Sequence, residues 1–276
     1  MIRDLDAPVK YLDFALELMD DPCFSEPMLS TGEQMEQHLR RAAGSPDKRA
    51  LGVFRDDGAM SGLFVFLVLP EERYLEMLVG LSREEEAWEE LAALLRESYP
   101  GWQADFVFNP KNPLVTALLE RRGAAFFTEQ QKMVFAGPAP AVDTAGIVPL
   151  SGAYREQYLA MHTTDVYWTG ERVAAAPELF RVFLAVEEGA VVGYLDLTLG
   201  HRENEPVDLL VKKEARRRGW GRKLLAAAID FNRPAGMMLL VDTDNEPALR
   251  LYESMGFVRA ERQNSRTATW MIDPDD

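Results

Sequence analysis

The stretch from Lys212 to Lys223 concentrates positive charge and glycine in an otherwise acidic chain. Seven of its twelve residues are basic, and Gly219 and Gly221 stand among them, whereas the whole chain has a formal net charge of -15. Glycine lets backbone amides approach an anion closely, and arginine donates charge-assisted hydrogen bonds to phosphate. A helix that begins here adds unpaired N–H groups and the positive end of its dipole. The stretch therefore indicates a phosphate-binding turn.

The spacing of the glycines excludes two common phosphate-binding turns. A Walker loop requires G-x-x-x-x-G-K-[ST], and the sequence contains no such segment. The dinucleotide fingerprint G-x-G-x-x-G fails because Leu224 stands three residues after Gly221. The pattern that remains is R-x-x-G-x-G, from Arg216 to Gly221, which by itself fits a solvated basic helix start equally well.

A second constellation follows in VDTDNEPALRLYESMGF, which fits the pattern N-x-x-A-x-x-x-Y-x-x-x-G-F. The matching residues are Asn245, Ala248, Tyr252, Gly256 and Phe257. Together with LLVKKEARRRGWGRKLLAAAI, this stretch resembles the two signatures of the GNAT superfamily of N-acetyltransferases. The resemblance covers residues 146–273 with both motifs intact and extends weakly over the first half. It implies direct transfer of an acetyl group from acetyl-CoA to an amine.

The resemblance implies how acetyl-CoA would be held. Backbone amides from Arg217 to Gly221 would bind its pyrophosphate, and the Leu209–Val211 backbone would pair with its pantetheine arm. An exposed N–H near Leu210 would polarise the thioester carbonyl, and Asn245 would fix the cofactor arm. The predicted cofactor-binding residues are Leu209, Leu210, Val211, Arg216, Arg217, Arg218, Gly219, Trp220, Gly221, Arg222, Asn245 and Tyr252.

The resemblance also implies the catalytic pair, Tyr252 and Asp208. Tyr252 is the predicted acid for the departing thiolate, although reference pKa values of about 10 for tyrosine and 8.5 for a thiol make full proton transfer uphill by about 2 kcal/mol. A hydrogen bond to the thiolate, or a tyrosine acidified by the nearby positive charge, is expected instead; a tyrosine simply packed in the core is the structural alternative. Asp208 is the predicted general base, with Asp196 and Glu205 as rivals, because an amine must lose a proton before attack.

The loop HTTDVYWTG lies where the acceptor site is usually covered in this superfamily. Its aromatic and acidic side chains could enclose a cationic amine, or could instead pack on a domain interface. The predicted substrate-binding residues are His162, Asp165, Tyr167 and Trp168. No metal site is predicted, because the three histidines are scattered along the chain and the single cysteine, Cys23, stands in the other half.

The basic turn needs a strand before it and a helix after it. The run PVDLLVKK predicts the strand, and apolar spacing from Gly219 to Phe231 predicts the helix. A strand, GMMLLVD, and a helix from Asn245 to Met255 follow. Upstream, LFRVFLAVE and AVVGYLDLTLG predict a hairpin around the turn EEGA. These elements predict an α/β unit in the second half.

The first half repeats this plan at an offset of 133 residues. NPLVTALLERRGAAF aligns with NEPALRLYESMGFVR, and YLEMLVGLSREEEAWEE aligns with VDLLVKKEARRRGWGRK. The first half lacks both glycines of the basic turn, has Leu119 opposite Tyr252, and replaces the bases by glutamates. We therefore predict a degenerate GNAT-like domain without the CoA motif at 1–137, a linker at 138–145 and a GNAT acetyltransferase domain at 146–276. The predicted fold class is α/β (α+β), with two tandem domains that each contain a mixed, mostly antiparallel, twisted sheet flanked by helices.

Composition bounds the partners and the compartment. The acidic balance disfavours nucleic acid, no apolar run approaches the length of a membrane span, and the acids in the first 21 residues are unlike a secretion signal. A lone cysteine fits a reducing, cytoplasmic location. We predict an N-acetyltransferase that uses acetyl-CoA, needs no metal, acts on a small-molecule or peptide amine, and is a monomer or homodimer. The alternative is a non-catalytic acyl-CoA-binding protein.

Overall fold

A computed structural model of the chain describes residues 1–29, 31–162 and 168–273. Its strands are β1 (Ile2–Asp4), β2 (Lys48–Phe54), β3 (Met60–Leu69), β4 (Tyr74–Leu81), β5 (Gln103–Phe108), β6 (Ala125–Phe126), β7 (Gln130–Phe135), β8 (Ile147–Pro149), β9 (Phe180–Glu187), β10 (Ala190–Thr198), β11 (Glu203–Asn204), β12 (Pro206–Val211), β13 (Gly236–Asp242) and β14 (Phe257–Met271). Its α-helices are α1 (Leu12–Met19), α2 (Gly32–Ala42), α3 (Glu85–Ser98), α4 (Pro113–Arg121), α5 (Arg155–Leu159), α6 (Gly170–Ala175), α7 (Trp220–Asn232) and α8 (Glu246–Ser254). Among the helices of these described ranges, none is both long and apolar enough to span a bilayer.

The chain folds into two compact units. The first contains Met1–Gln130 and Glu261–Asp276, and the second contains Gln131–Ala260. The first unit has the strand order β1-β2-β3-β4-β5-β14, with β6 also beside β14. Of these pairs, β4 with β5 is parallel and the others with an assigned register are antiparallel. The apolar faces of α3 and α4 pack on one side of this sheet around Trp88, Phe106 and Trp270.

The unit boundaries differ from the predicted domains, 1–137 and 146–276, because terminal strands are exchanged. The end of β14 pairs with β5 in the first unit, from Arg266 opposite Phe108 to Met271 opposite Gln103. Conversely, β7 lies beside β13 and places Met133 in the apolar core of the second unit. A sequence repeat shows which strands correspond but does not show which sheet each strand joins.

The predicted linker, 138–145, belongs to the second unit. Ala139 and Val142 pack on its core, and Lys223 Nζ donates to the Ala145 carbonyl oxygen (3.0 Å). A Cβ at the next residue, Gly146, would lie 2.9 Å from the ring of Trp220, so the chain passes too closely there for a side chain. The segment is therefore packed against the start of α7.

The second unit contains a sheet of order β8-β9-β10-β12, in which all neighbours are antiparallel. Helix α7 covers one face through Leu224, Leu225, Ala228 and Ile229, whose spacing forms one helical stripe. The opposite face packs against α5 and α6 around Tyr158 and Tyr194. The predicted helices, strands and hairpin of this half are present. The mixed, mostly antiparallel α/β class is confirmed for both units.

The chain leaves one sheet for another between β11 and β12. Asn204, the last residue of β11, pairs in parallel with Met237 of β13. From Pro206 onward, the chain pairs with β10 instead, with a bulge where the register shifts between Asp196 and Leu197. Proline has no N–H for a ladder bond, which suits it to the first position of a diverging strand. As a result, β12 and β13 part, and β12 is an edge strand of its sheet.

Candidate active site

The basic turn lies at the N-terminus of α7, directly after β12. Gly219 has a φ of +85°, a left-handed conformation that favours glycine, and no side chain caps this helix end. The first bond of the helix runs from Lys223 N–H to the Gly219 carbonyl oxygen (3.1 Å). The N–H groups of Trp220, Gly221 and Arg222 therefore have no partner within the helix, and they form an end suited to an anion.

The arginines of the turn are held by weak surface interactions. The contacts are Arg216 Nε to the Val211 carbonyl oxygen (2.9 Å), an ion pair of Arg218 with Glu187, and Arg222 Nη1 to Ser254 Oγ (3.2 Å). Arg217 is exposed, with a φ of +61°. Exposed pairs of this kind contribute about 0–1 kcal/mol, so a phosphate can replace them at low cost. The structure brings these residues to one place, while their binding role stays a prediction.

The free edge of β12 presents backbone groups beside this turn. Lys212 N–H donates to the Val192 carbonyl oxygen (2.9 Å), and Leu210 lies opposite Tyr194 in the same register. Because hydrogen-bonded pairs alternate along an antiparallel ladder, Leu210 also faces β10. Leu209 and Val211 therefore direct their N–H and carbonyl groups away from β10. The N–H groups that match the exposed N–H predicted near Leu210 are therefore those of Leu209 and Val211.

Tyr252 and Asn245 lie on α8, on the side of the sheet that α7 covers. The Asn245 side chain accepts a hydrogen bond from Ala248 N–H (3.2 Å) and so caps α8. Tyr252 is 9% exposed, and burial raises its pKa to about 12, with the carboxylates of Asp208 and Glu205 adding to the shift. This direction is opposite to the one expected for a tyrosine acidified by positive charge, because burial and two carboxylates cause the shift.

Glu205 lies between β11 and β12, where the chain leaves β13. Its backbone N–H donates to Thr198 Oγ1 (2.7 Å), and its carboxylate accepts from the backbone of Leu240 in β13. Burial raises the pKa of Glu205 to about 7, although that hydrogen bond and the nearby Lys132 ammonium oppose the shift.

The opposite face of the sheet holds a buried cluster around His162. His162 Nε2 lies 2.9 Å from Asp196 Oδ2, and Tyr158 Oη donates to the two oxygens of Asp196 at 3.1 and 3.0 Å. Tyr194 Oη donates to Asp208 Oδ2 (2.6 Å), and its ring stacks on the His162 imidazole with centroids 4.4 Å apart. Burial raises the pKa of Tyr158, Tyr194 and Asp196. Both phenols therefore remain donors to the carboxylates.

This cluster unites residues that stand far apart in the sequence. His162, Asp196 and Asp208 offer donor atoms within 4.8 Å of one another, although the sequence gives the histidines no metal-binding spacing. Asp196 and Asp208 are cross-strand partners in the β10–β12 register, so their side chains share a face. The sequence interpretation missed Tyr158 and Tyr194. Period-two spacing of Tyr194 with Asp196, and i, i+4 spacing of Tyr158 with His162, are signals that could have found them.

Two predicted acceptor residues, Asp165 and Tyr167, lie outside the described residues. Trp168 is 38% exposed and its ring meets Phe180 edge-on, with centroids 4.7 Å apart. Helix α6 begins at Gly170, where a Cβ would lie 3.0 Å from the His162 ring. The imidazole is thus confined between Tyr194, Tyr158 and the backbone of Gly170.

The first unit contains the corresponding strands in a different register. The bulge between β3 and β4 falls at Leu78, and that between β10 and β12 falls at Val207. Aligning the bulges places Gly80 on Leu209, an offset of 129, whereas the sequence repeat places Glu76 there. Only three residues join β4 to α3, against eight between β12 and α7. The offset in this segment is therefore four residues smaller than the 133 that relates Asn112 to Asn245, because the first unit has a shorter turn.

The chain itself occupies the corresponding edge of β4. Glu26 Oε2 accepts from the Gly80 N–H (3.4 Å), and Asn109, just after β5, donates through Nδ2 to the Pro22 carbonyl oxygen (3.1 Å) and to Ser25 Oγ (3.2 Å). Glu26 is 5% exposed, and burial raises its pKa to about 8. The segment from Pro22 to Glu26 thus bridges the ends of β4 and β5.

Comparison with known proteins shows what this part of the chain is similar to. Residues 178–259, from β9 through the start of β14, match the model of the acetyltransferase (GNAT) domain. The chain carries a GNAT acetyltransferase domain. The chain is 41% identical over 75 residues to the N-alpha-acetyltransferase RimI of Mycobacterium tuberculosis, covering 26% of this chain and 48% of RimI. An uncharacterized protein of Mycobacterium leprae is 44% identical over 73 residues, covering 25% of this chain and 20% of that protein.

Solved structures extend the GNAT fold over the whole chain. A GCN5-related N-acetyltransferase from Sphaerobacter thermophilus matches with a TM-score of 0.70 at 17% identity, covering 99% of this chain and 96% of that one. A tandem GNAT protein from the clavulanic acid biosynthesis pathway matches with a TM-score of 0.60 at 16% identity, covering 100% and 99%. At these identities the likeness shows the fold alone. The curated relatives are matched over half of their length or less.

Proposed function

We propose that this protein transfers an acetyl group from acetyl-CoA to a primary amine, with one working site per chain in the second unit. The observation that carries the proposal is the free edge of β12, which diverges from β13 beside the uncapped N-terminus of α7. The name of the matched RimI relative, an N-alpha-acetyltransferase, supports an amine acceptor and favours a peptide α-amine among the candidates.

The residues present fit acetyl-CoA. Its pyrophosphate would be held by the N–H groups of Trp220, Gly221 and Arg222 and by the exposed arginines of the turn. Its pantetheine amides would pair with the backbone groups that Leu209 and Val211 direct away from β10, in place of the Arg216 side chain at the Val211 carbonyl oxygen. Acetyl-CoA supplies the activated acetyl carbon, and a free N–H on this edge stabilises negative charge on the carbonyl oxygen.

Tyr252 stabilises the leaving thiolate by donating a hydrogen bond. With a pKa of about 12 against about 8.5 for a thiol, complete proton transfer from the phenol would cost about 5 kcal/mol. A hydrogen bond donated by a neutral phenol avoids that cost. The proton that finally neutralises the thiolate comes from the attacking amine, whose nitrogen becomes far more acidic once it is bonded to the acyl carbon.

The first unit has no working cofactor site in this proposal. Its β4-to-α3 turn is five residues shorter, its α3 begins with glutamates, and Glu26 already bonds the Gly80 N–H at the position of Leu209. A pyrophosphate at α3 would meet carboxylates, which repel it. The first unit therefore has a structural role or one in shaping the acceptor site.

Calorimetric titration with acetyl-CoA tests the proposal, and the chain offers a matched pair of variants. Gly219 and Gly189 have φ values of +85° and +84°, and a Cβ at either would meet no atom within 4 Å. Gly219→Asp and Gly189→Asp therefore carry the same strain and the same added charge. Only Gly219→Asp places a carboxylate at the α7 N-terminus.

We expect one site per chain, weakened at least about tenfold by Gly219→Asp and unchanged within about twofold by Gly189→Asp, since a like charge at a helix N-terminus opposes anion binding. A screen of primary amines, including peptides with free α-amines, then tests transfer. Two sites per chain would contradict the closed first unit. Binding without transfer to any amine would favour the non-catalytic acyl-CoA-binding protein instead.

A further inference from the structure

We propose that His162 is the general base of this site and that Asp208 anchors the acceptor as a primary ammonium; the inference rests on the proposed acetyl transfer. Its starting point is one atom. His162 Nδ1 is buried, has no hydrogen-bond partner among the described residues, and lies 4.0 Å from Asp208 Oδ2. A buried ring nitrogen without a partner is costly unless a ligand satisfies it.

The neighbours of His162 set its tautomer. Asp196 is fully buried, and Tyr158 Oη already donates to both of its oxygens, so Asp196 acts as an acceptor. The 2.9 Å contact then requires the proton on His162 Nε2. This leaves a lone pair on Nδ1, facing Asp208. The Asp196 carboxylate thus fixes the orientation and the tautomer of the imidazole, which leaves Nδ1 able to accept a proton.

Asp208 provides the place for an ammonium group. Its side chain is 39% exposed, whereas that of His162 is 3% exposed, so an acceptor that reaches Asp208 from solvent also comes close to Nδ1. A nitrogen about 2.8 Å from both Oδ2 and Nδ1 fits the 4.0 Å gap, and a primary ammonium has donors for both. Asp208 directly precedes Leu209, whose free N–H lies on the proposed thioester edge. The amine is therefore placed beside the acetyl carbon.

The proton balance assigns each group a role. The ammonium first gives a proton to His162 Nδ1, and the imidazolium is stabilised by the Asp196 and Asp208 carboxylates. The neutral amine then forms the C–N bond as the C–S bond breaks, and its second proton neutralises the thiolate. His162 finally releases its proton to solvent. Asp196 is a positioning residue, and Tyr158, Tyr194 and the Gly170 backbone complete the surroundings of the imidazole.

The test compares His162→Gln with Glu205→Gln, the rival base, on two acceptors. The acceptors are a primary alkylamine and an alkoxyamine of matched size. A protonated alkoxyamine is a much stronger acid than an alkylammonium ion, so the alkoxyamine is already neutral at pH 7 and needs no base. We expect His162→Gln to lower kcat/KM by about 10²-fold or more for the alkylamine and by less than about tenfold for the alkoxyamine. Asp196→Asn should follow the same pattern, and Glu205→Gln should show neither loss. Thermal unfolding and acetyl-CoA titration confirm that each variant is folded and binds.

Two results would overturn the inference. One is an equal loss on both acceptors in His162→Gln, which marks a structural role; the other is the selective loss appearing in Glu205→Gln. If the wild type binds acetyl-CoA but acetylates neither amine, the proposed function fails. The ¹⁵N NMR tautomer of His162, assigned by comparison with His162→Gln, then decides this inference separately. An Nε2–H imidazole whose Nδ1 shift responds to added methylammonium chloride supports it, and an Nδ1–H imidazole or no response refutes it.

Discussion

At Tyr252 the surroundings raise the pKa of the phenol and keep it neutral. The ring packs against Phe257 with centroids 6.0 Å apart, the residue belongs to the apolar core of the second unit, and the negative charges of Asp208 and Glu205 act on the phenol. Each of these disfavours the phenolate. A neutral donor with a pKa of about 12 is the form present throughout the working pH range.

We expect Tyr252→Phe to lower kcat by about 10²-fold, the lower end of the range for a positioned proton donor, while changing acetyl-CoA affinity less than threefold. The phenylalanine keeps the ring packing and removes only the hydroxyl. Tyr74→Phe, which removes the hydroxyl that bonds Asp105 in the first unit, is the control and should leave kcat unchanged. Steady-state kinetics and calorimetry measure both quantities. An unchanged kcat in Tyr252→Phe would exclude the phenol from the chemistry.

At the scale of elements, the two units differ in what happens to the backbone groups that a diverging strand leaves unpaired. In both, a strand bulges and leaves its parallel neighbour, which frees backbone groups on one edge. In the second unit the edge of β12 stays open beside an eight-residue turn. In the first unit, Glu26 bonds the Gly80 N–H and the turn has three residues. A free N–H must find a partner, and here the chain supplies one.

The Glu26 carboxyl gives this contact a pH dependence. Its pKa in the folded protein is about 8, above the ordinary 4.5, so the folded state holds a proton that the unfolded state releases between these values. Its contribution to the free energy of unfolding is therefore fully present below about pH 4.5 and is lost as the pH rises towards 8, by a few kcal/mol in all.

Glu26→Gln should remove this dependence, because the amide does not ionise. The melting temperature of the variant, relative to wild type, should rise between pH 5 and about pH 8 and then level off, as measured by differential scanning calorimetry. Glu120→Gln, at an exposed glutamate of the same unit, serves as the control and should run parallel to wild type. Parallel curves for both variants would mean that Glu26 is ionised in the folded protein across this range.

At the scale of the whole molecule, the exchanged strands make the two ends of the sequence depend on each other. Trp270 lies in the core of the first unit opposite Ala104, at 1% exposure, although it stands near the end of the chain. Phe257, on the same strand, lies in the core of the second unit at 2% exposure. One strand thus contributes a large aromatic side chain to each unit.

This pair makes the exchange testable. Trp270→Ala should cost about 3–5 kcal/mol, as expected for a buried tryptophan, and the loss should appear as faster amide hydrogen exchange in β5 and α3. Phe257→Ala should have a similar cost, with faster exchange in α7 and α8. Hydrogen exchange measured by mass spectrometry resolves these segments. Faster exchange in α7 and α8 for Trp270→Ala, with β5 unaffected, would contradict the exchange.

The local sequence determined the elements of the site. Apolar spacing and turn residues specify β12, the glycine turn, α7 and α8, because their hydrogen bonds and burial patterns involve residues close along the chain. The two motifs, at their exact places between strand and helix, were enough to indicate an acetyl-CoA site and a GNAT domain. The acids in the first half were enough to predict that no equivalent site exists there.

Only the tertiary structure shows which strands pair with one another and which distant residues those pairings bring together. The sequence repeat cannot show that β7 and β14 join the other unit's sheets, because equivalent strands have the same pattern in either place. It also cannot show that the Glu26 carboxyl accepts a hydrogen bond from the Gly80 N–H. Nor can it show that the structural alignment of β4 with β12 differs by four residues from the sequence alignment. The pairing of His162 with Asp196 and Asp208 joins three distant segments through one strand register and one helix. Such contacts follow from which faces meet in the packed sheet, and no local pattern encodes that.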